Sequence, residues 1–318
     1  MKQLRAIMNS KLWGRGASAI NPGLVVATVV VFIVLSFASP YFLSVYNLMN
    51  VGKALVIVGI AAAGETLVII AGGFDLSIGS TMAAAGMLAA YLLEIGSGVG
   101  PAFSAAILLG ICIGAANGTL IAYFRINPLI ATLAMMAIIR GLAFVISNGH
   151  EIVITNKAWL SLGTGKWVGI PYIVLILIVI YLVFALIMPR TKFGRYVYAI
   201  GSNPRAARLS GVSTKKWQLA IYITCGATAA LAGLILAART GTAMPAAAMG
   251  FELDVITAVI LGGASLKGGR GTILGTAIGL ILLFMINNGL TLAQVPTFWQ
   301  QVVKGFILLA AVLYDEIR

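Results

Sequence analysis

The chain has 318 residues, 61% hydrophobic and only 9% charged, with a mean hydropathy of +1.06 and a net charge of +13. A soluble domain carries roughly a quarter charged residues; this chain lacks the polar surface to cover a core in water, so it reads as an all-α, polytopic membrane protein, a single transmembrane domain over 1–318. On a soluble protein the charge would suggest nucleic acid, but here the basic residues sit between apolar runs, where the positive-inside rule accounts for them better, and no nucleic-acid partner is expected.

The first apolar run, Gly23–Ala38, follows a polar stretch containing Lys2, Arg5, Lys11 and Arg15. That leader, about 22 residues, is long for a signal peptide, so an uncleaved first helix is expected. Further spans are expected at Val51–Ala71, Ile78–Ile95, Ala102–Phe124, Pro128–Ser147, Ile170–Met188, Trp217–Ala238, Leu253–Ser265, Thr272–Leu290 and Phe298–Tyr314. That makes about ten transmembrane helices in lipid, the eighth too short for a full span. Gly114, Gly118 and Gly141 suit close helix contact. Both termini are expected on the inner side, which then collects the cluster Arg190, Lys192, Arg195, Arg205, Arg208, Lys215 and Lys216, together with Arg125, Lys267, Arg270 and Arg318. Cys112 and Cys225 lie in apolar helices and read as packing residues.

Between the second and third runs stands Gly72-Gly-Phe-Asp-Leu-Ser-Ile-Gly-Ser80. Bare backbone at membrane depth is costly unless buried in protein or lining a watery path, so this turn is a candidate gate or substrate-facing element. Gly72, Gly73, Asp75 and Ser77 belong to it; Glu65, ten residues before Asp75, lies within a span and needs a partner or a cavity. Lys304, inside the last run, is a possible partner for Glu65. Asp75 or Ser77 is suited to capping the third helix, and Asp75 also to pairing with Lys267 or Arg270. Asn117 and Asn288 are further candidates for the path. Glu252 and Asp254, at the outer end of the eighth run, are candidates for an outer rim that meets a ligand or a docking protein. Arg140 is placed to snorkel, and Trp159, Trp167 and Tyr172 to mark the outer interface.

Thr66–Gly73 resembles Thr257–Gly263, and Asn117-Gly118 before Pro128 resembles Asn288-Gly289 before Pro296. The copies are expected to be inverted in the membrane, with interrupted helices at matching positions, a pattern of transporters. The loop 189–216 has internal order: Ser202 or Asn203 caps a short helix, Pro204 takes its first position, Arg205–Leu209 form its body and Gly211 closes it, while Ser213 caps the next span. A loop that only fixed topology would not need a capped helix, so a docking surface is expected. A lone histidine, His150, and no metal-ligand spacing give no catalytic or metal site, and no GxxxxGK[S/T] occurs, so any ATP would be bound by another chain.

Gly72–Ser80, Phe193–Gly211, Phe251–Gly271, Asn287–Leu290 and Gln300–Lys304 together resemble the membrane permease subunits of bacterial ABC importers for ribose and related sugars, over about Asn47 to Ala311. The resemblance implies a vitamin-B12-permease-like helical fold in the inner membrane. It implies a second permease copy, cytosolic ATP-binding subunits holding ATP and Mg, and an extracytoplasmic sugar-binding protein. The stretch Asn203, Pro204, Arg205, Ala206, Ala207, Arg208, Leu209, Ser210, Gly211 would hold the helix that couples to the ATPase. Glu65 departs from the family pattern. The rival reading is an ion-coupled carrier of a small polar solute, with inverted repeats and buried carboxylates of its own.

Overall fold

The computed structural model describes residues 21–317. Lys2, Arg5, Lys11, Arg15 and Arg318 therefore lie outside the described residues. Each of the ten expected runs is a helix: α1 Pro22–Ala38, α2 Val45–Ile70, α3 Ile78–Glu94, α4 Val99–Ala122, α5 Pro128–Ile146, α7 Tyr172–Arg190, α10 Thr214–Thr240, α11 Phe251–Leu261, α12 Ile273–Leu292 and α13 Thr297–Ile317. Short helices α6 Lys157–Thr164, α8 Lys192–Ser202 and α9 Pro204–Leu209 lie in the connections, with the two-residue strands β1 Ile152–Val153, β2 Lys166–Trp167, β3 Ile170–Pro171 and β4 Thr242–Ala243. β1 pairs with β4 and β2 with β3, both antiparallel. Among the described residues, seven helices are long and apolar enough to cross a membrane; α1 and α3 are shorter, and α11 has only 11 residues. The chain is thus a helical, multi-pass membrane protein.

Helix starts follow local chemistry. Three Asn-Pro pairs each open a helix: the side chains of Asn21, Asn127 and Asn203 accept from Gly23, Leu129 and Ala206 N–H, with Pro22, Pro128 and Pro204 at the first position. α2 begins six residues before the expected Val51 because Ser44 caps it, accepting from Asn47 N–H at 3.2 Å.

Contact registers fix helix directions. α2 and α12 are antiparallel, with Thr66 beside Thr276, Gly59 beside Leu280 and Asn47 beside Asn288. α11 and α12 are also antiparallel, Gly262 meeting Gly275 and Ala258 meeting Gly279. α2 and α11 therefore run the same way, so the similar segments Thr66–Gly73 and Thr257–Gly263 are not inverted copies. Both are helix ends closed by the same Schellman motif. Gly73 N donates to Val68 O and Gly72 N to Ile69 O; Ala264 N donates to Val259 O and Gly263 N to Ile260 O. Gly72 and Gly263 take φ of +80° and +89°, which favours glycine at that position.

α2 is the centre of the bundle, buried from Val56 through Ile70. α10 packs against it and, backbone to backbone, against α4 through Gly110, Gly114 and Gly226. Gly118 meets Leu219, whereas Gly141 on α5 has open space around it and makes no such contact. Apolar side chains of α1, α5, α7 and α13 face outward, as lipid contact requires.

Candidate functional site

The turn after α2 does not leave the bundle. From Gly73 the chain folds back along α2 and brings Asp75 to Glu65, whose side chains are 2% and 0% exposed. The Asp75 backbone N–H donates to Glu65 Oε1 at 3.1 Å, and Cys225 Sγ of α10 donates to Glu65 Oε2 at 3.5 Å. Asp75 Oδ1 accepts from Ser77 N at 2.9 Å, from Ser77 Oγ, and from Asn117 Nδ2 of α4 at 3.3 Å. Asn117 Nδ2 also donates to Ser77 Oγ at 2.9 Å, while Asn117 Oδ1 has no partner. Tyr222 OH donates to Phe74 O at 3.2 Å. Four of the expected residues, Glu65, Asp75, Ser77 and Asn117, thus form one network. It ties the 71–77 segment to α2, α4 and α10. Gly72 and Gly73 lie at its turn.

Several expected pairings are replaced. Ser77 stands at the N-cap of α3 without a side-chain cap bond, because Asp75 takes its hydroxyl. Ser213 likewise makes no side-chain cap to α10. Asp75 does not meet a base from the other turn: Lys267 pairs with Glu316 at 3.2 Å on the surface. Lys304 is not the partner of Glu65 but binds Asp254 Oδ2 at 2.8 Å, joining α13 to α11. Asp254 is consequently buried and is no rim charge. Asn288 forms a reciprocal amide pair with Asn47, at 2.9 and 2.8 Å, away from the network. Trp159 is fully buried under α10 rather than at an interface, while Trp167 and Tyr172 are exposed. Arg140 holds the linker before α11, its Nη1 donating to Pro245 O and Ala247 O, both at 2.7 Å. That linker also brings Ala248 O and Glu252 close enough to the start of α3 that a Cβ on Gly79 would fall 2.5 Å from each. Glu252 is half-buried there.

The Asp254–Lys304 pair has a definite expected signature. Removing one partner strands a charge among apolar helices, so Asp254→Leu or Lys304→Met should each lower stability by about 2 kcal/mol, and the double change should restore most of the loss. Thermal unfolding of the detergent-solubilised protein checks this. Additive losses would show that the two side chains do not depend on one another.

Beside the turn, Val68, Gly72, Gly73, Pro128, Gln218 and Tyr222 line a cavity of about 20 Å³. Such a space takes one water, not a sugar. At the same end of the bundle lie α8 and α9. α9 has the caps expected of it, Asn203 accepting from Ala206 N at 2.9 Å and Gly211 at φ +85° closing it. Leu209 stands 85% exposed at its tip, with Arg205 and Arg208 also exposed. α8 is not among the elements expected from the sequence, although Phe193, Val197 and Ile200 recur at helical spacing and turn inward. Tyr198 of α8 donates to Gly271 O at 2.9 Å; burial pushes its hydroxyl pKa up to about 12, so it remains a donor at neutral pH.

A helical membrane bundle with a buried polar network at a broken turn and a capped helix projecting from one end fits a multi-pass permease. Residues 47–312 match the family described as branched-chain amino acid transport system / permease component, and the chain belongs to that family. It is 41% identical over 295 residues to the ribose import permease protein RbsC of Escherichia coli (strain K12), covering 92% of each chain. It is 41% identical over 293 residues to the protein of the same name from Bacillus subtilis (strain 168), covering 90% of each. To the L-arabinose transport system permease protein AraH of Escherichia coli (strain K12) it is 38% identical over 296 residues, covering 93% of this chain and 90% of that one. No solved structure matches.

Proposed function

We propose that this chain is the transmembrane permease subunit of an ATP-driven importer for a sugar, ribose or a related monosaccharide. The relatives named for ribose and arabinose import cover almost the whole chain, which supports the substrate class. The observation that carries the mechanism is α9: a six-residue helix capped at both ends, projecting an exposed leucine and two arginines. We read it as the docking element for a cytosolic ATP-binding subunit, which would hold ATP and Mg.

On this reading the ten apolar helices all cross the bilayer, with α3 and α11 as half-helices that start at mid-depth and are completed by extended segments. The folds of 71–77 and 241–250 back into the bundle support this. Both termini are cytoplasmic, the face carrying α8 and α9 is inner, and the face carrying α6 and the β2–β3 hairpin receives the sugar-binding protein, with Glu252 at the linker beneath it. A second permease copy completes the path, consistent with the water-sized cavity beside the turn in one chain. The architecture is then of the vitamin-B12-permease kind. Glu65, Gly72, Gly73, Asp75, Ser77 and Asn117 act as a gate: a latched turn whose release would move α3. Asn288 acts with Asn47 as a hinge between α12 and the start of α2.

Photo-crosslinking from Leu209 in native membranes tests the assignment. Capture of an ATP-binding subunit is the expected result. Labelling of lipid and this chain alone, with the loop shown accessible by a control probe, would overturn it in favour of an ion-coupled carrier.

A further inference from the structure

Three stretches of bare backbone meet at the foot of α2. The carbonyl of Ile70, left free where α2 ends, accepts from Gly269 N at 2.7 Å. Gly201, near the end of α8, lies against the same carbonyl: a Cβ there would fall within bonding distance of Ile70 O and 2.6 Å from Gly269 N. A Cβ on Gly268 would lie 2.8 Å from Gly201 O and 3.0 Å from Gly72 Cα, and one on Gly269 would lie 2.9 Å from Ser202 Cα. Gly72, Gly268 and Gly269 all have positive φ, at +80°, +82° and +75°. The loop after α2, the loop between α11 and α12, and the end of α8 are therefore in direct main-chain contact.

The placement has mechanical consequences. α9 starts at Pro204, three residues beyond Gly201. One end of the junction leads to the exposed helix. The other leads to Asp75, three residues past Gly72, and so to the buried network. α8 is held from the side by Tyr198 on Gly271 O and by Phe193 and Tyr196 packed on Trp217, with ring centroids 5.9 and 5.1 Å apart. A side chain between moving parts can absorb a small displacement by changing rotamer; backbone against backbone cannot, because close-packed contacts transmit strain.

We propose that the Gly201 junction is the element that transmits movement of α9 to the two loops, and through Gly72 to the Asp75 network. Gly201 and Tyr198 would then be positioning residues for energy coupling, not sugar contacts. The proposal rests on α9 being the ATPase docking element.

The test uses the whole importer, permease with its ATP-binding subunit and binding protein. Uptake is followed with whichever of radiolabelled ribose, arabinose, xylose or galactose the wild type takes up, beside ATP hydrolysis by the same complex. Gly201→Ala should leave the complex assembled and its basal ATPase intact, while sugar transported per ATP falls about tenfold. Tyr198→Phe, which keeps the ring and removes one bond, should lower the same ratio a few fold. Gly141→Ala, in open space on α5, should change nothing. Normal transport per ATP in Gly201→Ala overturns the proposal. If Gly201→Ala does not assemble, an unchanged ratio in Tyr198→Phe overturns it instead. Should no ATP-binding subunit copurify with the wild type, or Leu209 capture none, the docking assignment itself has failed, an outcome separate from either variant.

Discussion

Asp75→Ala is expected to reduce sugar uptake by about a hundredfold and to lower stability by roughly 3 kcal/mol. One carboxylate oxygen, Asp75 Oδ1, accepts from three donors: Ser77 N, Ser77 Oγ and Asn117 Nδ2. All belong to residues with essentially no exposure, so their removal from the network leaves them without water to fall back on. A buried donor left unpaired costs about 1–3 kcal/mol, and the three are coupled rather than additive. The effect on uptake should exceed the effect on folding, because Asp75 holds the 71–77 segment against α4, and that segment alone joins α2 to α3. Asp75→Asn keeps an oxygen for the Ser77 donors, and Asn117 has a free Oδ1 to offer the new amide. It should cost only about 1 kcal/mol and retain measurable uptake. Thermal unfolding and uptake measured on the same variants separate the two readouts. Asp75→Ala with near-normal uptake would remove the network from the gating role.

The residues behind this network show what a sequence discloses and what it hides. Helix ends are local events, so the Asn-Pro pairs at 21–22, 127–128 and 203–204 and the glycine at 211 could be read directly, and the structure uses each as its chemistry suggests. The polarity of Glu65, Asp75, Ser77 and Asn117 inside apolar runs marked them as needing partners, and they turn out to satisfy one another. Which carboxylate meets Lys304 was not legible. The chain offers eight acidic residues, and the choice of Asp254 follows from α13 lying against α11, a long-range neighbour relation with no periodic signal. The repeat misled for a related reason. A Schellman end imposes glycine at one position and apolar residues before it wherever it occurs, so the similarity of Thr66–Gly73 to Thr257–Gly263 records a shared helix terminus and carries no information about orientation. α8 could have been found, since Phe193, Val197 and Ile200 have helical spacing and Thr191 accepts from Gly194 N at 3.3 Å as its cap; the basic residues around them obscured the stripe.

Gly226→Val is expected to abolish the folded protein or to destabilise it by about 3 kcal/mol or more. In lipid there is no hydrophobic force to drive helices together, and association depends on close packing that small residues permit. The crossing of α4 and α10 takes this to its limit. A Cβ on Gly226 would overlap Gly110 O, one on Gly110 would overlap Gly226 O, and one on Gly114 would overlap Tyr222 O. The opposing atoms are backbone, so no rotamer change can make room, and the helices must separate. α10 has no slack for that, because a Cβ on Gly64 of α2 would lie 2.9 Å from Cys225 Cα on its other side. Separation would also pull Tyr222 and Cys225 away from Phe74 and Glu65, dismantling the network from a residue that takes no part in it. Gly226→Ala, with one carbon to accommodate, should fall between, at about 1–2 kcal/mol. Gly141→Val, on a helix face with open space around it, supplies the contrast: it adds the same bulk and should stay within about 0.5 kcal/mol of the wild type. Yield of monodisperse protein and its unfolding temperature measure all three. Equal stability of Gly226→Val and Gly141→Val would mean that the α4–α10 crossing is not what holds the polar network in place.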